Sequence, residues 1–189
     1  MEFFSYVMVL ASVIVGLAVT HLLQGVAKMI QHPDRPKLYW VHLLWVVFLF
    51  FNALLLWWWE FELSSARKWT FELYLFVIGF SVVLYMLCAI LMPDHLGHYG
   101  TYRAYFFSRR RWFLGLMLFF GLLDVVDSAV KGWDHFLSLG WPYFVFVASR
   151  PVLLIAGMQS RNAKLHAAIP IIFLGELLVM GFRSFHTIQ

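Results

Sequence analysis

Six apolar stretches, each about twenty residues long, decide what this chain can fold into. They cover residues 4–28, 38–59, 70–92, 112–131, 141–158 and 165–183. A helix needs about 20 apolar residues to cross the ~30 Å hydrocarbon core of a bilayer. Open strands are excluded in lipid, because their backbone groups would lack hydrogen-bond partners. The sequence therefore predicts an all-α, polytopic membrane protein: a bundle of six transmembrane helices that forms a single domain over residues 1–189.

The composition excludes several classes of function. The chain is 62% apolar and 13% charged, whereas soluble domains are about 45–50% apolar and about 25% charged. A soluble enzyme, a disordered tail and a nucleic-acid-binding domain are therefore excluded, despite the net charge of +4. The single cysteine, Cys88, excludes an intramolecular disulfide and a thiolate metal cluster. The first stretch lacks a basic leader and a cleavage site, so we expect a retained helix.

The basic residues predict the orientation in the membrane. The first, third and fifth connections hold nine Lys and Arg residues, namely Lys28, Arg35, Lys37, Arg103, Arg109, Arg110, Arg111, Arg161 and Lys164. The opposite side holds four: Arg67, Lys68, Lys131 and Arg183. The positive-inside rule then places these three connections in the cytoplasm and both termini outside. We expect the inner membrane of a bacterium, with most acids, including Glu60, in a rim near the outer face.

A weak internal similarity suggests two inverted halves of three helices each. The segment from His21 to Lys28 (HLLQGVAK) aligns without gaps on the segment from Asp124 to Lys131 (DVVDSAVK). Inverted repeats build many transporters, whose binding sites lie near the midplane. Chance similarity over eight positions is the alternative.

Arg150 lies near the middle of the fifth stretch and is followed by Pro151. A charge at the bilayer centre costs at least ~2.5–3.5 kcal/mol, so it requires a partner or water. Glu176, at similar depth on the next helix, and Asp124, on the preceding helix, are the candidate partners. Such a group either lines or gates a permeation route or forms a structural ion pair that fixes helix packing.

Asp124, Asp127, Ser128 and Lys131 share one face of the fourth helix, because their spacing is i, i+3, i+4, i+7. Two carboxylates pointing into a bundle are suited to binding a cation or relaying protons. The alternative is an Asp127–Lys131 pair at the outer end of the helix.

The histidines are candidate ligands or proton carriers. His21 and Gln24 share a face of the first helix, and His42 lies at similar depth on the second. These two histidines can flank a haem or hold a metal ion, and His95 and His98 can contribute to a metal site in the third connection. Ordinary hydrogen-bonded histidines are the alternative, and we expect no cofactor beyond lipid contacts.

Three functions remain. We favour a small transporter or channel for an ion or proton, built as a homo-oligomer because six helices leave little room for a pore. The residues that would line or gate its route are Asp124, Asp127, Arg150, Glu176, His21 and Gln24. The others are a non-catalytic scaffold or sensor subunit and a membrane-embedded redox enzyme that uses the histidines.

Overall fold

The computed structural model describes residues 2–31, 37–60, 63 and 69–186. These ranges contain no strand, and their α-helices are α1 (Glu2–Gln31), α2 (Trp40–Trp59), α3 (Phe71–Leu91), α4 (Tyr102–Val130), α5 (Trp133–Ser138), α6 (Gly140–Gln159) and α7 (Ala163–His186). A short 3-10 helix, Gly97–Tyr99, precedes α4. The predicted all-α class is confirmed. Three basic residues used for the orientation lie outside the described residues, namely Arg35, Arg67 and Lys68.

Five helices, α1, α3, α4, α6 and α7, are long and apolar enough to cross a membrane. The apolar part of α2, Trp40–Leu56, is shorter, so the predicted count of six spans is not confirmed. Large apolar side chains such as Leu17, Val152 and Ile171 are more than half exposed on the outside of the bundle. Extensive apolar exposure of this kind is typical of faces that contact lipid.

The fourth helix begins ten residues before its predicted start at 112. The Thr101 hydroxyl caps it by accepting a hydrogen bond of 3.1 Å from the Ala104 amide. The helix continues through Arg109–Arg111, which the prediction placed in a connection. Its 29 residues extend about 43 Å, which exceeds the hydrocarbon core. The basic first turns therefore belong to a helix that projects beyond the apolar layer.

The end of the bundle that carries α5, here named the α5 end, is held by polar contacts between helix termini. Lys131, at the end of α4, lies 3.6 Å from the carboxylate of Glu60, which follows α2. Arg183, near the end of α7, donates a 3.4 Å hydrogen bond to the Leu139 carbonyl just before α6. The short helix α5 was not predicted, and it lies between α4 and α6 at this end.

The opposite end, here named the basic end, joins α1 to the end of α3. Lys28 Nζ lies 3.0 Å from Asp94 Oδ1, and both side chains are exposed. His21 Nε2 lies 2.9 Å from the Met92 carbonyl oxygen. The hydrogen bond from Lys28 is the main reason why the pKa of Asp94 lies below its ordinary value.

The two proposed halves do not pack in the same way. In the first half α1 packs most extensively on α3, whereas in the second half the corresponding helix, α4, packs most extensively on α6. The structure therefore does not confirm the inverted repeat.

Gly157 of α6 allows a close approach of three helices. A Cβ atom at this position would lie 2.9 Å from the ends of the Leu114 and Ile169 side chains, on α4 and α7. We expect Gly157→Leu to lower the free energy of unfolding by about 1–3 kcal/mol through overpacking. Gly16→Leu is the matched control, because nothing lies within 4 Å of that position. Thermal unfolding in detergent measures both variants, and equal effects would contradict the close approach.

Candidate functional site

Arg150 joins three helices near the middle of the bundle. Its Nε donates a 2.8 Å hydrogen bond to Glu176 Oε2 on α7. Its Nη1 lies 3.5 Å from Asp124 Oδ2 on α4. The sequence analysis named these two carboxylates as alternative partners, and the structure brings both to the same guanidinium. The arrangement neutralises a charge that lipid alone would not tolerate.

Tyr143 extends this cluster along α4. Its hydroxyl lies 3.1 Å from Ser128 Oγ and 3.4 Å from Asp124 Oδ2, and the side chain is buried. This residue was not predicted as part of the site. Its position about two helical turns before Arg150, on the same helix, is the one signal that points to it. The hydroxyl links the two polar faces of α4 and α6.

A second charged cluster lies closer to the α5 end. Lys131 Nζ lies 2.5 Å from Asp127 Oδ2 on the same helix, which is the i,i+4 pair that the sequence analysis gave as the alternative. The same ammonium lies 3.6 Å from Glu60 Oε1. The side chains of Glu60 and Lys131 are each 5% exposed and that of Asp127 is 7% exposed. Glu60 was predicted only as part of an acidic rim, and its burial was missed.

Carboxylates outnumber their cations in these two clusters. Four carboxylates, those of Glu60, Asp124, Asp127 and Glu176, contact two cations, Lys131 and Arg150. Both carboxylate oxygens of Glu60 and Oδ1 of Asp127 are buried without a hydrogen-bond donor among the described atoms. Buried anionic oxygens without donors are costly. These oxygens favour a proton or another hydrogen-bond donor beside Glu60 and Asp127.

A cavity of about 320 Å³ connects the two clusters. Its walls come from α2, α4, α6 and α7 together with His135 and Ser138 of α5, and no described residue of α1 or α3 lines it. The charged residues in its walls are Asp124, Asp127, Lys131, Arg150 and Arg183. A volume of this size is at the small end of the range for ligand sites. The mixture of ion pairs and apolar walls makes it the best candidate for a binding site among the described residues.

An aromatic layer around Trp45 lies beside the cavity. Trp45 is fully buried, and its ring centroid lies 5.7, 5.1 and 5.5 Å from those of Phe48, Phe113 and Phe173. Phe48 and Phe173 form part of the cavity wall, whereas Trp45 and Phe113 do not. Packed aromatic rings therefore border this part of the cavity.

The histidines do not gather at one site. His21 contacts the Met92 carbonyl, whereas His42 is buried against the rings of Tyr102 and Phe106, at 5.3 and 6.4 Å between centroids. Both ring nitrogens of His42 lack a hydrogen-bond partner among the described atoms.

The remaining predicted site residues also lie apart from the cavity. His95 and His98 are exposed in the connection before α4, and Gln24 is exposed on α1. His21 and Gln24 are not among the residues that line the cavity. Across the part of the chain that the structure describes, no group of three or more His, Cys, Asp and Glu side chains is placed to hold a metal ion. The structure thus brings together the carboxylate and arginine candidates and leaves the histidines and Gln24 elsewhere.

Comparisons of this chain with protein-family models, with curated proteins and with solved structures found no match.

Proposed function

We propose that this protein is a small membrane transporter for an ion or proton, with the cavity as its binding chamber. The observation that carries the proposal is a cavity with the ion pair of Arg150 and Asp124 in its wall, near the middle of the bundle. Transporters of many folds bind their ions near the midplane. Buried ion pairs contribute little to stability compared with apolar side chains. Their retention around an enclosed space therefore favours a role in binding.

The opening and the closure of the cavity fit a state that is accessible from one side. We propose that the mouth lies beside His135 and Ser138 of α5, which line the cavity. We propose that the aromatic layer around Trp45 closes the other side. Transport then requires this layer to move while the mouth closes.

We propose that α2 also crosses the membrane, so that the protein has six spans. The excess of Lys and Arg in the odd-numbered connections favours a cytoplasmic basic end and an α5 end that faces outward. We further propose a bacterial inner membrane and a homo-oligomer, whose copies would contact one another through the exposed apolar faces of the bundle.

Flux measurements with purified protein in vesicles test this function. We expect flux of H⁺, Na⁺, K⁺ or Cl⁻ above that of empty vesicles, and we expect Asp124→Asn to lower it at least about tenfold, a loss of about 1.4 kcal/mol in binding or barrier. Asp94→Asn is the matched control, because Asp94 is exposed and lies at the basic end, outside the cavity. Absence of all four fluxes refutes the transporter. Equal flux in Asp124→Asn and in Asp94→Asn refutes the role of the cavity.

A non-conducting scaffold subunit is the second candidate. The observation that favours it is that Arg150 and Lys131 are both held in ion pairs, which gives a closed and well-fixed bundle. It predicts a second protein that copurifies in stable proportion and no flux in vesicles. No observation on the described histidines favours a redox enzyme.

A further inference from the structure

Glu60, Asp127 and Lys131 form a buried group with two acids and one base. The ammonium lies between the two carboxylates, 2.5 Å from Asp127 and 3.6 Å from Glu60. If all three were ionised, the group would carry one net negative charge in surroundings of low dielectric constant. An uncompensated buried charge is expensive, and a group in that position tends to neutralise itself by taking up a proton.

Carboxylate oxygens of this group lack hydrogen-bond donors among the described atoms. Glu60 is 4% exposed, and neither of its oxygens accepts a hydrogen bond from a described atom. Oδ1 of Asp127 also accepts no hydrogen bond from a described atom. A protonated carboxyl group removes the surplus charge and supplies a donor of its own. One proton therefore removes the surplus charge and makes one of these three oxygens a hydrogen-bond donor.

Other described residues also bring charge to the surroundings of the cluster. Asp124, one turn before Asp127, adds negative potential at Glu60, although Arg150 compensates it. His135 of α5 faces Asp127. Its imidazole reduces the negative potential at Asp127 only when the ring carries a positive charge. Arg183 of α7 lines the same cavity and donates to the Leu139 carbonyl. Burial and the charge of Asp127 outweigh Lys131 and raise the pKa of Glu60 to about 7.

A metal ion is a poorer occupant than a proton. Hard cations such as Ca²⁺ take six to eight oxygen ligands and Mg²⁺ requires an octahedral shell. Within the described residues, the carboxylates here do not form a group of three placed around a common centre. The ammonium of Lys131 already occupies the space between them.

We propose that Glu60 and Asp127 hold one exchangeable proton between them beside Lys131, and that this proton is the ion that enters the cavity from the α5 end. Asp127 and Lys131 are part of the cavity wall, which gives the proton a path. The identification of the transported ion rests on the proposed function, whereas the proton site itself does not.

Infrared spectroscopy of the purified protein, titrated with pH, tests the site without any transport assay. A protonated carboxyl group has its own C=O stretching band, which disappears on ionisation. We expect the wild-type protein to lose one such band as the pH rises through about 7, the pKa of Glu60. Glu60→Gln and Asp127→Asn should each abolish this titration. Asp94→Asn should preserve it, because Lys28 holds the pKa of Asp94 below its ordinary value, so that this exposed acid ionises at lower pH.

Lys131→Met provides a second variant that retains both acids. Loss of the cation disfavours the ionised carboxylate, so the titration of Glu60 should move to a pH about 1–3 units higher. A band that is absent in the wild-type protein at every pH, or one that Glu60→Gln, Asp127→Asn and Lys131→Met all leave unchanged, overturns the proton site. A titrating band without proton flux would support the proton site and refute the transporter. Flux without the band would refute the proton site and support the transporter.

Discussion

Replacing Arg150 by Met is expected to lower the free energy of unfolding by about 3–5 kcal/mol, because a buried ion pair that loses one partner leaves the other charge uncompensated. Two carboxylates are left behind, those of Glu176 and Asp124. Glu176 is 3% exposed, so water cannot replace the guanidinium. The side chain of Arg150 is itself 20% exposed, and access of water from the cavity places the expected loss toward the lower end of that range.

A double-mutant cycle separates the ion pair from general packing. Arg150→Met combined with Glu176→Leu removes both charges of the closer pair and leaves Asp124, whose side chain is 27% exposed, so it should regain most of the stability lost in the single variant. Unfolding by sodium dodecyl sulfate in mixed micelles measures the differences. Arg103→Met, at an exposed position of α4, is the control and should change stability by less than about 0.5 kcal/mol. A double variant that loses the sum of the two single losses would contradict a coupled pair.

The class of fold and the main ion pair follow from local rules. Long apolar runs predict membrane helices because a helix satisfies its own backbone in lipid. Arg150 requires an anion because an unpaired charge in lipid is also costly. The predicted depth of Glu176 and Asp124 in the membrane indicated them as candidates. The structure places both within 3.5 Å of the guanidinium.

The boundaries of α4 were misjudged because apolarity marks the layer that a helix crosses and not the helix itself. Arg109–Arg111 interrupt the apolar run, yet the backbone hydrogen bonds of the helix do not depend on side-chain polarity. The cap at Thr101 was readable in the sequence and marks the true start.

The arrangement of the helices around the cavity was not predictable from local patterns. The depth of a residue in the membrane does not predict which helices are neighbours. His21 and Gln24 were therefore predicted to line a route, although no described residue of their helix, α1, lines the cavity. Glu60 is buried because the end of α2 lies against the end of α4. That contact depends on how two segments that are distant in the sequence are rotated toward each other. The position of Glu60 at the end of an apolar run does not predict this rotation.

Trp45→Ala is expected to have the other large effect, because this side chain forms the centre of the aromatic layer beside the cavity. Trp45 is fully buried and contacts the rings of Phe48, Phe113 and Phe173. Truncation of a buried tryptophan to alanine costs about 3–5 kcal/mol. It also removes the centre of the layer that we propose as the barrier between the cavity and the basic end, so we expect vesicles with this variant to leak ions passively.

Two further variants show whether size and position account for the effect. Trp45→Phe retains an aromatic ring and removes an indole N–H that lacks an acceptor among the described atoms, so it should cost less than about 1.5 kcal/mol and keep the vesicles tight. Trp40→Ala changes an exposed tryptophan on the same helix and should preserve both stability and tightness. Stability is measured by unfolding in mixed micelles, and leakage by the decay of an imposed pH gradient. Equal leakage in Trp45→Ala and Trp40→Ala would show that the aromatic layer is not the barrier, since only one of these side chains lies in it.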